Sequence, residues 1–292
     1  MSRHVMLLVD AGNSRLKYQM LTLPSSGAWS PELVVEAPVV SLENDRVSQG
    51  QLHDDWQAQL HRLAVSGERT VRLSWLSVGP SHVSQAVASA FEQLTGHPAP
   101  PSWQPQATLQ CEPFGCRAFH NHYRNPSQLG ADRWVSALGL LCEGRLLPGQ
   151  TQLVVSAGTA TTVDLVRRDA QGDAHFLGGW ILPGVGLMED ALRLHTRDLD
   201  ALMQVPSLPT KAAVPCDSYQ AIHRGIGLAQ TGFVAQLMQA HSISGLWLHG
   251  GHAPQWRAHF YDADATNACP LPIHDASRIT FLGLLALCSL RA

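Results

Sequence analysis

An apolar run that ends in a short glycine turn occurs twice in this chain. Val5-Met-Leu-Leu-Val9 leads into Asp10-Ala-Gly-Asn13, and Leu153-Val-Val155 leads into Ser156-Ala-Gly-Thr159. The offset, 156 − 10 = 146 residues, is half of the 292-residue length. A short continuous apolar run bounded by turn residues reads as a buried strand. In each copy a second strand-like segment follows at once, Leu16 to Leu23 and Thr161 to Arg167. Two strand–turn–strand units at half-length spacing predict a duplicated α/β domain, with the two turns pointing into a cleft.

Other segments fill in this frame. Leu33 to Val40 is rich in valine and reads as a third strand, at an edge because of Pro38. Val71 to Val78 reads as a strand, with another short one near His175 to Gly178. Helices are expected at Trp56 to Ala64, Ser84 to Leu94, Ala131 to Leu141, Leu187 to Met203 and Asp217 to His241. In the last of these Ile222, Ile226, Ala229, Phe233 and Leu237 share one face at helical spacing, which marks them as core. The proline-rich stretch 97–105 is a loop.

Composition removes several function classes. Twenty basic against 23 acidic side chains give a net charge of −3, which argues against a broad nucleic-acid footprint. Six cysteines without a CxxC pair suit neither a disulfide framework nor a zinc knuckle, and Cys111 and Cys116 are expected to be ordinary thiols. His120 with His122, and His249 with His252, read as surface or turn residues rather than metal ligands. Asp10 interrupts the apolar N-terminus before a signal-peptide core forms. The apolar stretch Ile279 to Leu290 has 12 residues, short of the ~20 that span a bilayer. A cytoplasmic protein without a membrane segment is expected.

Three stretches carry chemistry. In Asp10-x-Gly12-Asn13-Ser14-x-x-Lys17, a glycine turn lets backbone amides approach phosphate oxygens. Asp10 at the strand end suits Mg²⁺ held through water, Asn13 and Ser14 add neutral donors, and Lys17 adds a cation. Gly158-Thr159-Ala160-Thr161-Thr162 offers small and hydroxylic residues at the equivalent turn, as a second phosphate clamp or a plain hairpin. Tyr123-x-Asn125-Pro126-x-x-Leu129-Gly130-Ala131-Asp132-Arg133 is the most informative. Asp132 in a first helical turn is expected to be kept ionised by the helix dipole and ready to accept a hydroxyl hydrogen bond. Arg133 beside it offers a planar fork for a carboxylate, against the dipole's preference. Gly178-Gly-Trp-Ile-Leu-Pro-Gly184 and Leu248-His-Gly-Gly-His252 are further glycine turns, unspecific on their own.

Taken in order, these stretches resemble the type III pantothenate kinases. Asp10 to Lys17 matches the family's Asp-x-Gly-Asn-Thr-x-x-Lys with Ser14 for Thr, and Gly130 to Arg133 matches its Gly-x-Asp-Arg, preceded at matching spacing by Tyr123. Gly158 to Ala160 matches Gly-Thr-Ala, and Gly178 to Gly184 matches Gly-Gly-x-Ile-x-Pro-Gly. The resemblance implies an actin-like fold of the acetate and sugar kinase, heat-shock and actin superfamily, with two ribonuclease-H-like domains around a nucleotide cleft. The division it suggests is 1–118, with the Mg²⁺ and phosphate loop, and 119–292, with the acceptor site, second phosphate loop and dimer interface. It implies ATP-dependent phosphorylation of pantothenate with Asp132 as general base, the first step of coenzyme A biosynthesis. It also implies Asp10, Gly12, Asn13, Ser14, Lys17 and Thr159 at ATP, and Tyr123, Gly130, Ala131, Asp132, Arg133 and Thr196 at pantothenate. Thr196 would be donated across a homodimer interface.

One departure stands out. The family usually has Asp where this chain has Ser156, at a site for a monovalent cation, K⁺ or NH₄⁺. A hydroxyl can ligate such an ion without balancing its charge, so weakened dependence is expected. Two other readings are a non-catalytic accessory factor for transcription on the same fold, and a superfamily kinase or phosphatase with a different acceptor.

Overall fold

The computed structural model describes residues 3–23, 30–48, 51–63, 69–111, 115–196, 214–261 and 271–289. The chain divides into two compact units, Met1–Leu147 with Ala170–Phe176 and Arg278–Ala292, and Pro148–Asp169 with Leu177–Ser277.

In the first unit β1 (Arg3–Ala11) and β2 (Arg15–Leu23) form an antiparallel hairpin that sets Asp10 opposite Lys17. The first apolar run is unbroken because both of its faces are covered. Val5, Leu7 and Val9 belong to one core cluster, while Met6 and Leu8, equally buried, point to the opposite face of the sheet.

Where a third strand was expected, the chain forms a short helix, α1 (Pro31–Glu36), and only then β3 (Val40–Glu43). Pro31 stands in the helix's first turn, where its missing N–H costs nothing, and Pro38 forces Ala37 into extended geometry and ends it. Valine's strand preference loses to these two prolines. After α2 (Asn44–Ser48) and α3 (Leu52–Arg62), β4 (Arg69–Ser77) pairs parallel with β1, giving the order β3-β2-β1-β4. Trp56 and Leu60 of α3 and Val83, Val87 and Phe91 of α4 (Ser81–Thr95) close this core.

Next, β5 (Thr108–Gln110) and β6 (Ala118–Asn121) pair antiparallel. Their pairing brings Cys111 and Cys116 to a Cα–Cα distance of 5.6 Å, within bridging range, and the two form a disulfide. The expectation of two ordinary thiols is thus corrected, since hairpin register rather than sequence spacing sets that distance. Then α5 (Ala131–Cys142) carries the Asp132–Arg133 pair.

The second unit repeats the plan. Its β7 (Thr151–Ala157) pairs antiparallel with β8 (Ala160–Arg168). Strand β9 (Ala174–Pro183) begins in the first unit, where Ala174–Phe176 run parallel to β6, and leads to α6 (Val185–His195). The helix stops at His195, with Thr196 extended beyond it; the remainder of the helix expected to reach Met203 lies outside the described residues. After α7 (Ser218–Ala240), β10 (Leu246–His249) pairs parallel with β7, and with α8 (Ala253–Tyr261) and β11 (Ile273–Asp275) the strands of this unit run in the order β11-β10-β7-β8-β9. Thus β1 and β7 each lie between an antiparallel hairpin partner and a parallel strand, the arrangement the 146-residue repeat predicts.

The chain then returns to the first unit as α9 (Ile279–Ser289), which packs on α5. Among the described residues no helix is long and apolar enough to cross a membrane.

Candidate active site

The turn after β1 is closed by the Gly12 N–H donating to the Arg15 carbonyl at 3.0 Å. Residues far away in sequence hold it from behind. Asn44 Nδ2 donates to the carbonyl oxygens of Gly12 at 3.2 Å and Asn13 at 2.7 Å. Val78 and Gly79 donate their amides to the Ala11 carbonyl at 3.0 and 3.1 Å. A Cβ at Gly79 would stand 2.3 Å from the Gly12 oxygen, so only glycine permits this approach. Neither Asn44 nor Gly79 belongs to a stretch singled out in the sequence; a Gly-Pro pair just past an apolar strand was the signal for the second.

Asp132 lies in the first turn of α5, behind the extended N-cap Gly130. A Cβ at Gly130 would meet Asp132 Oδ1 at 2.6 Å, so a side chain there would push the carboxylate aside. The carboxyl is raised above the usual range because burial outweighs the backbone hydrogen bonds and the Arg133 charge that oppose it. The dipole argument for a readily ionised acid is therefore corrected: desolvation wins. Asp10 is raised to about 6, first by burial, then lowered by Lys17 across the hairpin, with the charge of Asp132 adding to the rise. These two carboxyls, 122 residues apart in sequence (132 − 10), feel each other.

Arg133 is no solvated cation. It is 6% exposed, donates from Nη1 to the Tyr123 hydroxyl at 2.9 Å, and lies 5.8 Å from the ring centroids of Tyr123 and Phe176. Tyr123 is itself anchored by its backbone N–H to Asn121 Oδ1 at 3.0 Å. The first unit therefore gathers Asp10, Gly12, Asn13, Ser14 and Lys17 with Tyr123, Gly130, Ala131, Asp132 and Arg133.

The second unit holds Ser156, Thr159 and Thr196. Ser156 is half-buried at the end of β7, and Thr159 is exposed at the turn. Gly184 backs that turn as Gly79 backs the first. Its amide donates to the Thr159 carbonyl at 3.0 Å, and a Cβ there would lie 2.3 Å from the Gly158 oxygen. His252 donates its amide to the Ala157 carbonyl at 3.0 Å, mirroring the bonds to Ala11. Thr196 caps α6, with its amide and its hydroxyl both donating to the Leu192 carbonyl. Among the described residues no group of three or more His, Cys, Asp or Glu side chains is arranged to hold a metal ion.

The sequence model of the family described as type III pantothenate kinase matches residues 6–240, most of the chain and both turns. The chain belongs to the type III pantothenate kinase family. Among its relatives is a type III pantothenate kinase of Cupriavidus pinatubonensis, 35% identical over 251 residues that cover 82% of this chain and 84% of that one. Another, from Aromatoleum aromaticum, is 33% identical, covering 86% and 88%. In fold the chain is similar to a Sinorhizobium meliloti protein described as a candidate 2-dehydro-3-deoxygalactonokinase, with a TM-score of 0.50 at 13% identity, covering 98% and 99%. The two α/β units and this likeness in fold agree with a two-domain ribonuclease-H-like architecture. Membership in a type III pantothenate kinase family carries with it pantothenate and ATP as substrates and a divalent metal ion.

The raised pKa of Asp10 has a thermodynamic consequence. Between its ordinary value of 3.8 and about 6, the folded chain binds more protons than the unfolded one, so this group's contribution to stability falls as pH rises. In chelator, thermal melts of the wild type and Asp10→Asn from about pH 4 to 7 should show the wild type losing stability relative to the variant across that window. A constant difference would contradict it.

Proposed function

We propose that this chain transfers the γ-phosphoryl group of ATP to the terminal hydroxyl of pantothenate, with Asp132 as general base. The supporting observation is the pair of half-buried carboxyls, Asp10 and Asp132, raised by burial and coupled through their charges in one unit beside a glycine turn. Asp132 takes the hydroxyl proton while the new O–P bond forms, and the bond from the γ-phosphorus to the β–γ bridging oxygen breaks to release ADP. A base with a raised pKa holds that proton better than an ordinary carboxylate. Phosphoryl transfer leaves the protein mainly positioning and charge neutralisation. Asn13, Ser14, Lys17 and Thr159 are proposed to contact phosphates, with Gly12 leaving room for them. Tyr123, Gly130, Ala131, Arg133 and Thr196 are proposed to orient pantothenate. The donor set fits Mg²⁺: Asp10 would hold it through water, and when bound it neutralises phosphate charge.

A coupled ADP-release assay with pantothenate supplied or omitted tests this. Release is expected only with pantothenate present; release independent of it would reject the acceptor. The reading as an accessory factor for transcription is not favoured, and only salt-sensitive DNA binding without ATP turnover would restore it.

Ser156 in place of Asp leaves a monovalent cation without a balancing charge at the end of β7. Turnover titrated with KCl at fixed ionic strength is expected to change little. A sharp, saturable K⁺ or NH₄⁺ requirement would contradict the weakening.

The homodimer, with Thr196 serving the partner's acceptor site, is supported by α6. None of its described residues is fully buried, and Leu187 and Leu194 are 46% and 77% exposed. Sedimentation as a monomer at micromolar concentration would reject it.

A further inference from the structure

We propose that Asn44 is a positioning residue for the nucleotide phosphates, shaping the Gly12–Ser14 turn from behind. The inference deepens the kinase reading and rests on it. Asn44 opens α2 directly after β3 and is 8% exposed. Its Nδ2 donates to the Gly12 carbonyl at 3.2 Å and the Asn13 carbonyl at 2.7 Å. Its own backbone N–H donates to the Ser14 carbonyl at 3.3 Å. The turn's carbonyls are thus drawn to one side.

In a trans peptide the C=O of one residue and the N–H of the next point in opposite directions. Holding the Gly12 and Asn13 oxygens at Asn44 therefore turns the N–H groups of Asn13 and Ser14 the other way. Consecutive amides facing one side form a concavity for anions, and the ligand class is the polyphosphate of a nucleotide. Gly79 fixes the turn from a second direction, since no Cβ fits between it and the Gly12 oxygen. Lys17, opposite Asp10 in the hairpin, adds positive charge beside the turn.

The side chain at position 44 must supply donors to two carbonyls while remaining neutral. A primary amide does so; a carboxylate of the same shape has acceptors only and would repel both oxygens. Because Nδ2 faces two carbonyls, the orientation of the amide is fixed by its partners.

Asn44→Asp preserves shape and removes the donors, and Asn44→Ala removes both. The full-length protein is titrated with Mg·ATP by calorimetry, and KM is measured separately for ATP and pantothenate, with melting temperatures recorded. The Kd and KM for ATP are expected to rise roughly ten- to hundredfold, the worth of two hydrogen bonds. The KM for pantothenate should stay within about twofold, a split that general loosening of the fold would not produce. Wild-type ATP affinity in either folded variant, or an equal rise in both KM values, would overturn the assignment. If the wild type binds ATP but releases no ADP with pantothenate, the kinase reading fails; the calorimetric comparison still decides Asn44.

Discussion

Asp132→Asn is expected to lower kcat by about 10²–10⁴-fold, the usual contribution of a positioned general base. Asparagine keeps the size of the side chain and an oxygen at the start of α5, so the turn around Gly130 and the Tyr123–Arg133 hydrogen bond should survive. What is lost is the capacity to accept the hydroxyl proton. Since burial disfavours the ionised carboxylate, the neutral replacement should hold or slightly raise stability near neutral pH. The informative result is thus a large fall in kcat at saturating ATP and pantothenate with an undiminished melting temperature. Near-full turnover would remove Asp132 from its role, and a fall in melting temperature would mean that the residue serves the helix instead.

Gly139→Ala should destabilise the first unit by about 2–3 kcal/mol or more. Two effects of opposite sign compete. Alanine is the better helix former, by about 1 kcal/mol. Yet a Cβ at Gly139 would lie 1.9 Å from the Ile279 carbonyl oxygen, and backbone cannot yield as a flexible side chain can. To admit it, α5 and α9 must separate. That would also loosen the reciprocal contact, where a Cβ at Gly283 would stand 2.0 Å from the Val135 oxygen, and strain the 2.9 Å bond between Ser136 and Thr280 hydroxyls. Sterics should win. Gly225 in α7 is the control: a Cβ there meets nothing within 4 Å, so Gly225→Ala should gain up to about 1 kcal/mol. Urea unfolding of both variants decides the matter, and equal behaviour would refute the close-packed crossing. Because α5 carries Asp132 and Arg133, Gly139→Ala should lower turnover as well.

The parts of the site that were legible in sequence are those whose chemistry is local. A glycine turn after an apolar run, or an acid and an arginine after Gly130, keeps its meaning wherever the segment is placed. Asn44 and Gly79 were silent because their partner is the turn at Gly12, 32 and 67 residues earlier (44 − 12 and 79 − 12). Nothing local distinguishes an asparagine that supports a loop from one that starts a helix. Position 33–40 misled for the opposite reason: valine's preference for strands was legible, but the flanking prolines set the boundaries. The Cys111–Cys116 bridge depended on hairpin register.

By itself, the chain's sequence determined the two strand–turn–strand units and their half-length spacing, and it named the groups proposed to meet phosphate, hydroxyl and carboxylate. Tertiary structure alone decided how those groups behave. Asp132 has its pKa raised and Arg133 is buried against aromatic rings because segments distant in sequence exclude water from them. Hydration is lost to whatever packs nearby, and a sequence does not state its neighbours.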